Sequence, residues 1–75
     1  MNEYVEAENI GRAIQRAAAD LPEYWTLRIE VERGVTAWVY AVDPDGYHLE
    51  AAEGELLSDQ INTVIDDVIA EAGRE

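Results

Sequence analysis

The sequence predicts one α+β domain over residues 1–75, with the element order α-β-β-β-α. The three strands are expected to form an antiparallel meander, with both helices packed on one face of the sheet. Three observations predict this fold: apolar residues recur with helical spacing near both ends of the chain, apolar and polar residues alternate in its middle, and glycine-containing turns divide that middle into three runs. A chain of 75 residues has room for one hydrophobic core.

The first predicted helix has apolar residues at intervals of four, three and four: Ile10, Ile14, Ala17 and Leu21. Asn2 and Asn9 are both suitable N-caps, and a start at Asn9 would leave the first eight residues as a loose arm. Gly11 lies inside the pattern and costs about 1 kcal/mol relative to alanine, so it marks either close packing or a helix that begins near Asn9. The helix stops at Leu21, because the residue before a proline avoids helical backbone angles.

Three runs rich in β-branched and aromatic residues predict the strands: 24–31, 35–42 and 47–52. Residues 32–34 suit a three-residue loop that ends in a left-handed glycine, and residues 43–46 suit a similar turn. Both turns place odd-numbered residues on one face of the sheet. The predicted cross-strand pairs are Val31–Val35, Ile29–Ala37, Leu27–Val39, Asp43–Tyr47 and Ala41–Leu49.

The second helix is predicted over residues 58–72. Ser58 can cap its start, Asp59 complements its dipole, and Gly73 follows its end. Its apolar residues repeat with helical spacing: Ile61, Val64, Ile65, Val68, Ile69 and Ala72. Both helices therefore have an apolar stripe for the odd-numbered face of the sheet, where small residues of the middle strand leave space for them.

The charge balance is the most unusual property of the composition. Seventeen acidic residues face five arginines, lysine is absent, and the formal net charge is −12. Coulomb repulsion excludes nucleic acid and anionic membranes as direct partners. A halophilic origin is an alternative explanation of the acidity. The absence of cysteine, the polar N-terminal segment and the lack of an apolar run of about 20 residues favour a cytoplasmic protein.

The residue types needed for catalysis are scarce. His48 is the only histidine and Ser58 the only serine, and their predicted positions do not bring them together, so no activated nucleophile is expected. Residues 43–46 superficially suggest a calcium loop but lack its remaining ligands and its closing glutamate, which favours a tight turn. The sequence therefore predicts no enzymatic activity, no metal site and no cofactor.

Two surfaces are predicted to bind a partner. The first is a run of acids over the loop and second helix: Glu53, Glu55, Asp59, Asp66, Asp67 and Glu71. Asp59 and Asp66 would lie roughly 10 Å apart along the helix, and such a row can imitate phosphates and attract a basic groove. The alternative is an ordinary solvated helix face.

The second predicted surface is the even-numbered face of the sheet, which no element covers. Its members are Trp38, Tyr40, Arg28, Glu30, His48 and Glu50. The predicted register places Trp38 opposite Arg28, where a cation–π contact can form. Exposed aromatic residues ringed by charges are typical of a protein-binding hot spot. The alternatives are a flipped register that buries Trp38 in the core and homodimerisation through this face.

The predicted order of elements resembles that of the double-stranded-RNA-binding domain over nearly the whole chain. That family contacts phosphates with lysines at the start of its second helix, whereas this sequence has Leu57-Ser58-Asp59-Gln60 there, so the RNA-binding function does not carry over.

The sequence is similar to small acidic inhibitors of phage or mobile-element origin, including anti-CRISPR proteins and other DNA mimics. The similarity rests on its size, its acidity, and the absence of lysine and of a catalytic set. This resemblance implies an inhibitor of a basic nucleic-acid-binding protein or CRISPR effector subunit, in the cytoplasm of a bacterial host. The alternative is an interaction or homodimerisation module that uses the open face of the sheet.

Overall fold

The computed structural model describes residues 3–34, 37–50 and 56–73. Helix α1 spans Glu3–Asp20, strands β1, β2 and β3 span Thr26–Glu30, Trp38–Val42 and His48–Glu50, and helix α2 spans Leu57–Ala72. The strands form one antiparallel sheet in the order β1-β2-β3. The predicted α-β-β-β-α order and the three-stranded meander are confirmed. Neither described helix is long and apolar enough to cross a membrane.

Helix α1 begins before Asn9, the later of its two predicted starts. It is already helical at Glu3, so a start at Asn9 is wrong, while Asn2 lies outside the described residues. The helix ends at Asp20, one residue before the predicted stop at Leu21 and two residues before Pro22. Gly11 does not mark close packing, because a Cβ atom added there would meet nothing within 4 Å.

The first hairpin has the predicted face but not the predicted register. Leu27 pairs with Ala41 and Ile29 pairs with Val39, each two residues away from the predicted partner. Gly34 has the expected positive φ of 81°, and Val35 and Thr36 lie outside the described residues. A shift of two leaves every side chain on the same face, so the apolar pattern could not distinguish the registers.

The second hairpin has the predicted register. Ala41 pairs with Leu49, and the Asp43 amide donates to the Tyr47 carbonyl at 2.9 Å. Gly46 has a φ of 94°, which glycine adopts without strain. The Asp43 carboxylate accepts hydrogen bonds from the Asp45 and Tyr47 amides at 2.9 and 2.8 Å. The Asp43 carboxylate therefore stabilises the turn.

The core lies between α2 and the odd-numbered face of the sheet. Its largest fully buried side chains come from one stripe of α2: Ile61, Val64, Ile65 and Val68. Val39 and Ala41 cover them from the middle strand, and Ala13 and Ala17 extend the core from α1. Helix α1 packs mainly along α2 and makes little contact with the sheet. As a result, the space between α1 and β1 is incompletely filled.

Ser58 does not cap α2. Leu56 holds the N-cap position without a side-chain hydrogen bond, and Ser58 lies inside the first turn with 3% of its surface exposed. Its Oγ donates to Oε1 of Glu6 at 2.6 Å, and its amide donates to Oε2 of Glu6 at 3.2 Å. The Glu6 carboxylate of α1 thus accepts hydrogen bonds from the first turn of α2, where the helix dipole favours a negative charge. Gly73 follows α2 as predicted, but with ordinary helical angles.

Candidate functional site

The acidic residues of α2 lie on two stripes rather than in one row. Asp59 and Asp66 are seven residues apart and lie within about 20° of each other around the helix axis, whereas Asp67 is rotated by about 100° from Asp66. Glu71 is one turn from Asp67 and shares its stripe. All four residues are exposed, and α2 contains no basic residue. Glu53 and Glu55, the other two acids of this prediction, lie outside the described residues.

Asp66 is neutralised by an arginine of the same chain. Its Oδ1 accepts a hydrogen bond from Nη2 of Arg16 at 2.6 Å. The same guanidinium donates to Oδ1 of Asn62 at 2.9 Å and lies 3.6 Å from a carboxylate oxygen of Asp20. Asp66 therefore helps to hold the two helices together and contributes less than Asp59 or Asp67 to an external negative surface.

The pKa of Arg16 is raised above its ordinary value, mainly by the hydrogen bond to Asp66. Desolvation lowers this pKa, whereas the negative charges of Asp66 and Asp20 raise it further. A raised pKa of a base stabilises the folded state at every pH below the ordinary arginine value. The stabilisation is lost only as the pH rises through the folded-state value. The Arg16 guanidinium therefore stays charged at every pH below the ordinary pKa of arginine.

On the even-numbered face of the sheet, Tyr40 is buried, although it was predicted to be exposed. Only 8% of Tyr40 is exposed, so its predicted exposure is wrong. Its hydroxyl donates to Oε2 of Glu30 at 3.1 Å, and its ring centroid lies 4.8 Å from that of His48. The neighbouring strands place Arg28 and Glu50 on either side of it. Tyr40 is thus enclosed by the polar side chains that were predicted to surround an open aromatic surface.

Trp38 has a different neighbour from the one predicted. The observed register places Glu30 opposite Trp38 and moves Arg28 opposite Tyr40, so the predicted pairing of Trp38 with Arg28 is wrong. Trp38 remains 39% exposed and is not buried in the core, which excludes a flipped register. The open face therefore presents one partly exposed indole instead of a tryptophan–tyrosine pair.

Within the part of the chain that the structure describes, a groove lies on each of two sides of α1, and the sequence prediction included neither. A groove of about 290 Å³ between the helices is lined mainly by polar residues, among them Arg12 and Arg16. A groove of about 380 Å³ between α1 and β1 is apolar, and its lining residues are Ile14, Ala17, Ala18, Leu21, Trp25, Thr26, Leu27 and Ile29. The helical pattern of α1 predicted an apolar stripe, but it could not show that the sheet would leave part of that stripe uncovered.

The described residues offer little for metal or acid–base chemistry. Across residues 3–34, 37–50 and 56–73, no three His, Cys, Asp or Glu side chains converge closely enough to hold a metal ion. Within those ranges every buried side-chain nitrogen and oxygen atom has a hydrogen-bond partner.

No protein-family model matches this sequence, and neither the curated proteins nor the solved structures contain a significant match to it. Fold and surface together define the class of the molecule: a small, strongly acidic α+β domain with two exposed candidate binding surfaces.

Proposed function

We propose that this protein is a non-enzymatic inhibitor that occupies a basic nucleic-acid-binding surface of a partner protein, as anti-CRISPR proteins and other DNA mimics do. Its place of action in this proposal is the cytoplasm of a bacterial host, and its target is a nucleic-acid-binding protein or a CRISPR effector subunit. The observation that carries the proposal is the excess of acids on α2: Asp59 and Asp67 are exposed on different stripes, and the helix contains no base.

Pairing every arginine with an acid would still leave the chain a formal net charge of −12 that a partner can meet. Of the five arginines, Arg12 and Arg16 already lie beside acids of this chain, whereas the acids number seventeen. Asp59 and Asp67 lie on different stripes, so the negative potential extends around a broad part of α2. Such a surface accelerates encounter with a basic groove and matches its arginines and lysines in sign.

The open face of the sheet supports the alternative function, a protein-interaction or homodimerisation module, less well. A binding hot spot needs aromatic area that a partner can cover, and Tyr40 is already covered within the chain. Trp38 supplies the remaining aromatic area with 39% of its surface exposed. The acidic surface of α2 is therefore the stronger candidate.

The proposal is tested by capture and competition. The tagged protein is incubated at about 50 mM salt with a bacterial lysate treated with nuclease, so that nucleic acid cannot bridge bait and target. We expect a basic nucleic-acid-binding protein that duplex DNA releases from the bait. Capture of proteins that DNA does not release would contradict competition for a nucleic-acid site, and so would capture of none.

Matched variants then locate the binding surface. The double variant D59N/D67N removes two acids from α2, and the control E23Q/E32Q removes two exposed acids from the connections around β1. Both change the net charge by the same amount. We expect the α2 variant to weaken binding to the captured target by roughly three- to tenfold more than the control does. Equal loss in both would show that net charge, and not α2, determines affinity.

A further inference from the structure

Strand β1 is an edge strand beside an open apolar groove. It pairs with β2 on one side, and none of the described strands lies on its other side. The groove between α1 and β1 holds about 380 Å³. Two apolar side chains near this edge are strongly exposed, Ile14 at 46% and Val31 at 75%. An unpaired strand beside exposed apolar surface is a template for pairing with another strand.

The order of charges on β1 makes that edge complementary to itself. Arg28 and Glu30 lie two residues apart on the even-numbered side, with Ile29 between them on the other side. In an antiparallel pair of two such strands centred on Ile29, each Arg28 lies opposite the other strand's Glu30. The same register places Leu27 opposite the other strand's Val31. An edge protected against pairing would instead carry charges of like sign.

We propose that a second copy of this chain binds here, with the two β1 strands antiparallel and Ile29 opposite Ile29 of the second copy. The twofold axis is perpendicular to the sheet, so the odd-numbered faces of both copies lie on the same side. Their apolar grooves then adjoin across the axis, and Val31 packs against Leu27 of the second copy. The proposal concerns a different surface from the proposed inhibitor function and does not depend on it.

Net charge opposes this association and gives it a characteristic salt dependence. Each copy carries a formal charge of −12, so two copies repel each other through their overall fields. Salt screens that long-range repulsion more strongly than it weakens the short-range Arg28–Glu30 pairs, and it has little effect on apolar contact and strand hydrogen bonds. The dimer is therefore expected to strengthen as salt is raised, which is opposite to the behaviour expected of binding to a basic partner.

Single cysteine variants test the register, because the chain contains no cysteine. In I29C the two thiols face each other across the axis at a separation that a disulfide can span. In the control V31C each thiol is offset by four residues from its counterpart, roughly 14 Å along the strands, and beyond the reach of a disulfide. Val31 is the more exposed of the two positions. Under mild oxidation we expect I29C to form a covalent dimer and V31C to remain monomeric; the reverse order, or equal cross-linking, would overturn the proposal.

Charge reversal tests the interface in the cysteine-free protein. In sedimentation equilibrium at about 300 mM salt, where the Debye length is shorter than 10 Å, we expect the wild-type chain to dimerise. R28E and E30R each place like charges opposite each other twice and should weaken the dimer by about tenfold or more. The double variant R28E/E30R has the wild-type net charge and should restore it. A wild-type chain that stays monomeric at millimolar concentration would overturn the proposal, as would a double variant no better than the single ones.

Discussion

Replacing Glu6 by alanine tests whether a side chain of α1 stabilises the start of α2. The carboxylate of Glu6 accepts a hydrogen bond from Oγ of Ser58 at 2.6 Å and a second from the Ser58 amide at 3.2 Å. Hydrogen bonds to charged groups contribute about 1.5–3 kcal/mol, and the longer bond adds less. After a small gain in helix propensity from alanine, we expect Glu6→Ala to lower the free energy of unfolding by about 2 kcal/mol.

That loss is a large share of the total stability. A domain of 75 residues has a free energy of unfolding of about 4–11 kcal/mol at the usual stability per residue. Urea denaturation followed by circular dichroism measures the change as a lower midpoint with an unchanged slope. Glu8→Ala is the matched control, because Glu8 lies on the same helix and its contact with Arg12, at 3.6 Å, is exposed. We expect the control to cost less than about 0.5 kcal/mol.

A double-mutant cycle identifies the partner. Ser58→Ala removes the hydroxyl donor, and the combination with Glu6→Ala should cost about 1 kcal/mol less than the sum of the two single changes, because the two residues share one interaction. Additive losses would refute the reasoning, since they would mean that Glu6 and Ser58 act independently. A Glu6→Ala variant as stable as the wild type would refute it as well.

Three further substitutions have expected effects on the urea midpoint. Gly11→Ala should stabilise the protein by about 1 kcal/mol, because the added Cβ meets no atom within 4 Å and alanine favours the helix; a destabilised variant would contradict this. Tyr24→Gly should also stabilise it, by about 1 kcal/mol, because Tyr24 has a φ of 70°, at which a tyrosine is strained and a glycine is not, and its side chain is 82% exposed. A loss of stability would show that the tyrosine ring makes a contact worth more than the backbone strain. Tyr40→Phe should cost about 1 kcal/mol, because it removes the hydroxyl that donates to Glu30, and an unchanged midpoint would argue against that hydrogen bond.

The sequence was sufficient to predict the faces of the sheet but not the register of the first hairpin. Side-chain direction alternates along a strand, so apolar spacing determined which side Leu27 and Ile29 occupy. A register shift of two preserves that direction, and only the preferred loop length argued for Val39 as the partner of Leu27. In the second hairpin the Asp43 carboxylate and Gly46 both specify the turn, and there the predicted register is the observed one.

The candidate sites depended more heavily on long-range contacts, which the sequence does not contain. Asp66 looked like a free acid, but Arg16 lies 50 positions earlier in the chain and contacts it across the helix interface. Ser58 looked like a cap because local capping rules cannot include Glu6, a residue 52 positions away. The apolar groove arises because α1 packs along α2 rather than onto the sheet. None of these contacts has a local signature.

The most direct test of the inhibitor proposal is the dependence of target affinity on salt. The dissociation constant for the captured partner is measured by calorimetry from about 50 to about 300 mM salt, for the wild-type chain, D59N/D67N and E23Q/E32Q. We predict that affinity falls steeply and linearly on logarithmic axes, and that D59N/D67N has a shallower slope than the control. Affinity that stays constant over that range would contradict the claim that the acids of α2 take the place of phosphates.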